Sequence, residues 1–209
     1  MTFSNPLKLA AAACLAVALG TVSALAAAPE VGKPAPEFTG TDTQGKTHSL
    51  KELRGKTVIL EWTNDGCPYV QKHYGSGNMQ KLQKETTADG VVWLTVASSA
   101  PGTQGNLPAG EHDALMKKRD AAPTAVLIDE DGTIGQAYGA QTTPHMYIIT
   151  PDGNLAYKGA IDDKPTSDKS DLDSATNYVR QALDQIAAGK PVEPAVTRAY
   201  GCSIKYKAS

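Results

Sequence analysis

Cysteine is scarce in this chain: three in 209 residues, beside two phenylalanines and two tryptophans. No disulfide framework can carry a fold of this length on so few, so the chain has to bury a core of its own. Charge of one sign is lacking as well, since 20 Lys and Arg stand against 22 Asp and Glu, for a formal net charge of -2. Without a basic field, neither nucleic acid nor an anionic membrane surface is an expected partner. The glycines between 102 and 110 lack the G-x-x-x-x-G-K spacing of a phosphate loop, and no internal repeat is visible. Nothing in the sequence calls for a cofactor.

Long apolar runs are confined to the beginning. Met1 to Lys8 carries one basic side chain, Leu9 to Gly20 is almost purely Ala, Leu and Val, and Ala24-Leu25-Ala26 is a small-x-small cleavage pattern. Residues 1–28 therefore read as a secretory signal peptide cut near Ala26 or Ala28, because the apolar core is shorter than the ~20 residues a membrane span needs. Cys14 goes with it. The expected mature chain is a secreted, periplasmic protein of about 180 residues, the size of one domain. Its two cysteines, Cys67 and Cys202, are most simply a disulfide or a redox couple.

Residues Pro29 to Phe38 hold three prolines and read as an extended lead-in. Thr39 to Lys46 suits a turn between short strands, and Ser49 can cap one helical turn through Leu53. Thr57 to Trp62, Val91 to Ala97 and Thr124 to Ile128 are β-branched or apolar at most positions, as buried strands are. Helices are predicted over Pro68 to Glu85 with an interruption at Gly75-Ser76-Gly77, over Glu111 to Arg119, and over Ile134 to Tyr138. Ser98 to Gly110 is a long loop rich in Gly, Pro and Ser, a candidate for lining a site. Met146 to Ile149 and Leu155 to Gly159 flank Pro151-Asp152-Gly153-Asn154 as a hairpin. An apolar stripe from Leu172 to Ile186 predicts one helix over Ser170 to Ala188, ending at Gly189. The expected fold is α/β with a mixed central sheet over 29–189, followed by an extension over 190–209 that holds Cys202.

Strand then cysteine then helix is the arrangement that activates a thiol. Pro68 suits the first helical position, which leaves Cys67 at the cap, where free backbone N–H groups and the helix dipole favour a thiolate. Lys72, His73 and Tyr74 follow within two turns, and a depressed thiol pKa is expected; the bland reading is an inert buried cysteine. Glu61 interrupts an apolar strand six residues earlier. Desolvation would raise its pKa toward the range useful for proton transfer, unless it is an acid at a sheet end paired with lysine. His73 and His145 could join Cys67 around a metal, although their spacing matches no familiar ligand set. Trp62, Tyr69 and Tyr74 read as packing around the cysteine.

Three stretches carry a resemblance: Val31-Gly32-Lys33-Pro34-Ala35-Pro36-Glu37-Phe38, the junction from Trp62 to Cys67-Pro68, and Thr143-Pro144 followed by a strand and a Pro-Asp-Gly turn. Together they resemble the thioredoxin-like superfamily, in its alkyl hydroperoxide reductase/thiol-specific antioxidant (peroxiredoxin-like) branch, over roughly Val31 to Ala188. The resemblance implies a thioredoxin-like fold, a cis peptide at Pro144 facing the reactive cysteine, and a Thr143 backbone able to pair with a substrate chain. An ordinary trans turn proline is the alternative at Pro144. Glu61 would take the place of the buried acid of thioredoxins. The likeness breaks where Val70 replaces the second cysteine of the thioredoxin pair. It breaks again at the peroxidatic signature, which wants proline at position 60 and Thr or Ser at 64, where this chain has Leu60 and Asn64.

Tyr200-Gly201-Cys202-Ser203 resembles the ending of a peroxiredoxin-like subgroup that carries Cys-Pro-Tyr-Val-x-Lys-His-Tyr at the front. This makes Cys202 the candidate partner of Cys67. The implied activity is thiol oxidoreduction: Cys67 attacks a peroxide or a substrate disulfide, Cys202 resolves the intermediate, Glu61 relays protons, and Thr143 with Pro144 shapes the groove. A thiol reductant such as a thioredoxin-like protein would close the cycle. The rival is a binding module with a permanent Cys67–Cys202 disulfide that uses the loop from Ser98 to Gly110 for a protein or metal partner.

Overall fold

The computed structural model describes residue 1 and residues 28–208. The segment expected to be a signal peptide lies outside the described residues except for Met1 and Ala28, and so does Cys14. Short runs of β-branched and apolar residues become strands β1 (Thr39–Asp42), β2 (Thr47–Ser49), β3 (Val58–Trp62), β4 (Val92–Ala97), β5 (Ala125–Ile128), β7 (His145–Ile149) and β8 (Leu155–Gly159). They form one sheet in the order β2-β1-β5-β4-β3-β7-β8, parallel across β3, β4 and β5 and antiparallel elsewhere. A mixed α/β sheet is what the sequence predicts. Two further strands, β6 (Thr142–Thr143) and β9 (Cys202–Ser203), form a separate two-stranded sheet.

Helices α1 (Pro68–Gly75), α2 (Asn78–Ala88), α3 (Ala109–Lys118), α4 (Thr133–Tyr138) and α5 (Tyr178–Ala187) complete the fold. The break between α1 and α2 falls at the expected glycines, with Gly77 in the left-handed region at φ 80°. The single helix expected over Ser170 to Ala188 is replaced by a 3-10 turn at Lys169–Ser174 and the separate α5. Two side-chain caps override the apolar period there: Asp168 accepts from the Ser170 N–H, and Asn177 accepts from the Arg180 N–H, starting a new helix.

Side chains alternate across the sheet, and the alternation sorts the core into two layers. Leu60, Trp62, Leu94, Val96, Tyr147 and Ile149 face one side with Phe38 and Tyr138. Ile59, Trp93, Met146 and Ile148 face the other, against Cys67, Val70 and Tyr74 of the α1 region, Met79 and Leu82 of α2, and Val179 and Ala182 of α5. Glu61 shares parity with Ile59, so the strand period aims it into the layer that holds Cys67.

Residues 190–208 have no periodicity, yet they are held along their length. Lys158 N–H donates to Ala195 O and Thr197 N–H to Lys158 O, so the segment begins by covering the edge of β8. It then crosses to β6. Beyond Ser203, Ile204 N–H donates to Gln141 O, Ala100 N–H donates to Lys205 O, and the Tyr206 hydroxyl donates to Ala140 O.

Candidate active site

Cys67 closes a turn, its N–H donating to Asn64 O, and becomes the N-cap of α1 with Pro68 as the first helical residue. Asn64 Oδ1 in turn accepts from the Gly66 N–H. The loop over Ser98 to Gly110 supports this turn from outside, since Asn64 Nδ2 donates to Gln104 O at 3.3 Å. Cys67 is 0% exposed, and its thiol donates to Thr143 O at 3.0 Å. The Thr143–Pro144 peptide bond is cis.

Cys202 comes from the far end of the chain. In the β6–β9 ladder Thr143 lies opposite Cys202 and Thr142 opposite Ser203, which sets Cys202 beside the residue whose carbonyl meets the Cys67 sulfur. Gly201 makes that approach sterically possible. It sits at φ 132°, and a Cβ there would lie 2.0 Å from Thr143 O. Both thiols are free, Cys67 buried and Cys202 partly exposed.

The two sulfurs differ in acidity. Burial works to raise the Cys67 pKa, but hydrogen bonds from the Cys202 thiol, the Val70 N–H and the Thr143 side chain outweigh it, and the thiol ends below its ordinary value. Cys202 is pushed up to about 11 by burial and by the sulfur of Cys67 it faces. Of the two thiols, Cys67 is the more acidic.

A buried polar cluster that sequence reasoning missed anchors the tail. The Tyr200 hydroxyl donates to Asp162 Oδ1, and His73 Nε2 lies 3.1 Å from the same hydroxyl. Because Tyr200 gives its proton to Asp162, His73 must donate through Nε2, and its Nδ1 accepts from Asn78 Nδ2 at 2.9 Å. Burial, then the Lys72 cation, drives the His73 pKa down to about 3, which keeps the ring neutral. Lys72 Nζ donates to Lys164 O and lies 3.8 Å from Asp162 Oδ2; Lys72 is 1% and Asp162 2% exposed. Tyr69 packs against the Tyr200 ring with centroids 5.8 Å apart. Asp162 left no signal in the sequence, because it follows β8 as one of two adjacent aspartates without a motif.

Glu61 is fully buried and raised by desolvation. No lysine meets it. Tyr74 Oη, Gln83 Nε2, Trp93 Nε1 and Thr95 Oγ1 all donate to its carboxylate, and its hydrogen bonds do not run to Cys67. His145 is turned away from His73, with Nδ1 accepting from the Gln141 N–H. Among the described residues, no group of three or more His, Cys, Asp or Glu side chains is placed to hold a metal ion.

A parallel β3–β4–β5 centre, a cysteine at the start of α1 and a facing Thr-Pro turn define a thioredoxin-like fold with a thiol site. The model of the AhpC/TSA family matches residues 31–158. This chain belongs to that family, within the thioredoxin-like superfamily, and is a thiol-dependent oxidoreductase by class. It is 30% identical over 129 residues to the thiol-disulfide oxidoreductase ResA of Bacillus thuringiensis subsp. konkukian, covering 60% of this chain and 67% of the relative. ResA of Bacillus subtilis is 27% identical over 124 residues, 59% of this chain and 64% of that one. An uncharacterized conserved protein of Geobacillus kaustophilus has the same fold, with a TM-score of 0.73, 24% identity, and coverage of 86% of this chain and 94% of its own. A hypothetical protein of Sinorhizobium meliloti 1021 superposes with a TM-score of 0.72 and 22% identity, over 88% and 98% of the two chains.

Proposed function

We propose that this protein is an exported, periplasmic oxidoreductase that works through thiol–disulfide exchange, with Cys67 and Cys202 as its redox pair. The observation that carries the reading is the placement of Cys202 opposite Thr143, whose carbonyl accepts from the Cys67 thiol. The Cys67 thiolate attacks one sulfur of a substrate disulfide and the other sulfur leaves. Cys202 then attacks Cys67 in the mixed disulfide, releases the reduced substrate and leaves the Cys67–Cys202 bond. A dithiol reductant of the thioredoxin-like kind restores both thiols. Thr143 and Pro144 shape the groove, and Glu61 positions α1 from beneath through its hydrogen bond with Tyr74.

A disulfide substrate is favoured over peroxide by the relatives' names and by Leu60 and Asn64 at positions where the peroxidatic signature has Pro and Thr or Ser. Peroxide remains the second reading because Cys67 is covered by the tail and a small oxidant reaches it more easily. Thiol counting and peptide mapping test the proposal. An oxidised low-molecular-weight disulfide should produce a Cys67–Cys202 link that mild reductant reopens, and Cys67→Ser should abolish turnover. Turnover surviving in Cys67→Ser would refute the assignment. A link that resists reduction would turn the protein into a binding module with a structural bridge. Faster oxidation by equimolar hydrogen peroxide would move the substrate to peroxide.

A further inference from the structure

We infer that residues 198–206 form a hinged strap that swings clear of Cys67 to admit a substrate disulfide, and that the Cys67–Cys202 bond then tethers it. The inference rests on the redox-pair reading above and supplies the motion that reading requires.

Burial sets the requirement. Cys67 is 0% exposed while both thiols are free, so no disulfide reaches its sulfur until something around it moves. Ile59, Val70, Met79 and Ile148 of the same layer are also 0% exposed, and they cannot part without unfolding the domain. The tail is different. Tyr200 and Cys202 pack against that layer but are only partly buried, and Cys202 stands opposite Thr143, whose carbonyl accepts from the Cys67 thiol.

Of residues 198–208 only Ile204 is buried, so the segment exposes little apolar surface when it lifts. Hydrogen bonds hold it at separate points: Tyr200 to Asp162, Ile204 N–H to Gln141 O at 2.9 Å, Ala100 N–H to Lys205 O at 2.8 Å, the Tyr206 hydroxyl to Ala140 O, and the two-residue pairing of β9 with β6. Just before the strap the chain is fixed, because Thr197 Oγ1 accepts from the Ala160 N–H and the Thr197 N–H donates to Lys158 O. Arg198 and Ala199 follow, and among the described residues neither makes a hydrogen bond. They run along a cleft of about 570 Å³ that Asp163, Pro165 and Tyr178 also line. A hinge at these two residues turns without breaking a hydrogen bond, and the cleft leaves it room.

In the cycle the strap lifts, the Cys67 thiolate bonds to one sulfur of the substrate disulfide, and the other sulfur leaves with the electron pair. The strap returns with Cys202, whose thiolate bonds to Cys67 Sγ. The second substrate sulfur departs with the pair of the broken bond, and the strap seats fully as it goes. The two protons of the protein thiols pass to the two substrate thiols. The new disulfide holds residue 202 against residue 67, so the strap no longer swings clear.

Amide hydrogen exchange at Ile204 and Ala100 in the full-length protein, reduced and oxidised, tests the motion beside iodoacetamide alkylation of Cys67, read by peptide mapping. In the reduced form both amides should exchange faster than those of β3 and β4, and about tenfold or more faster than in the oxidised form. Ile204→Ala should speed the exchange of Ala100 and the alkylation of Cys67 by the same factor. Equal exchange in the two redox forms would overturn the tether. Ile204 and Ala100 amides as slow as those of β3 and β4 in reduced protein whose Cys67 is still alkylated would overturn the strap and leave the redox pair standing. Alkylation that rises in Gln104→Ala but not in Ile204→Ala would also overturn it, placing the entry at the loop over Ser98 to Gly110. A link that never forms under oxidant would overturn the redox pair and the tether together.

Discussion

At Cys67 burial and hydrogen bonding oppose each other, and hydrogen bonding wins because the donors converge on one sulfur. Cys202 supplies the donor that the helix terminus alone does not, so Cys202→Ala should raise the Cys67 pKa. A thiolate absorbance titration at 240 nm checks this, and an unchanged midpoint would mean that the α1 terminus suffices. Glu61 behaves in the opposite sense. Its folded-state pKa is raised by desolvation, so the native protein holds the proton more tightly than the unfolded chain does. Its contribution to stability is therefore complete below the unfolded pKa and is lost as pH rises through the folded one. Urea midpoints measured across that range should fall for the wild type and stay flatter in Glu61→Gln. Glu61→Leu is harsher, because it strands the Trp93, Gln83 and Thr95 donors in the core. Each costs about 1–3 kcal/mol, and the loss should be several kcal/mol at any pH.

At the scale of the element, the tail depends on a few fixed points rather than on its own propensity. Tyr200→Phe removes the hydrogen bond to Asp162 and leaves a buried carboxylate less well satisfied, a cost of about 1–3 kcal/mol. Because Tyr200 also holds the cover over Cys67, iodoacetamide should alkylate Cys67 faster in this variant under reducing conditions. A stability loss without faster alkylation would mean that Ile204 and Tyr206 hold the tail unaided. Gly201→Ala acts on the same element through sterics. A methyl 2.0 Å from Thr143 O forces β9 away from β6, and formation of the Cys67–Cys202 link should slow while the sheet core keeps its circular dichroism.

For the molecule as a whole, the pair closes a loop of 135 residues, from 67 to 202. Chain-entropy reasoning places the stabilisation of the oxidised over the reduced form at about 5 kcal/mol at most, less any strain. Denaturation with and without dithiol should show a gap of that sign in the wild type and none in Cys202→Ser. The strands and most helices were legible because each is short-range: apolar runs, Gly75-Ser76-Gly77, and the Pro-Asp-Gly turn act on their own neighbourhoods. The helix over Ser170 to Ala188 was misread because two caps overrode a real apolar stripe. Cys67 at the start of α1 was likewise written into Trp62 to Pro68. The Asp162–Tyr200–His73–Lys72 cluster was illegible, since its members lie up to 128 positions apart (72 to 200) and no local pattern marks them. The sequence by itself thus determined an α/β chain with an activated cysteine and one candidate partner, because periodicity, capping and turn chemistry are local. Only the tertiary structure decided how the two cysteines meet, which is buried and which is reachable. Those properties depend on a tail with no periodicity, whose position comes from hydrogen bonds to distant parts of the fold.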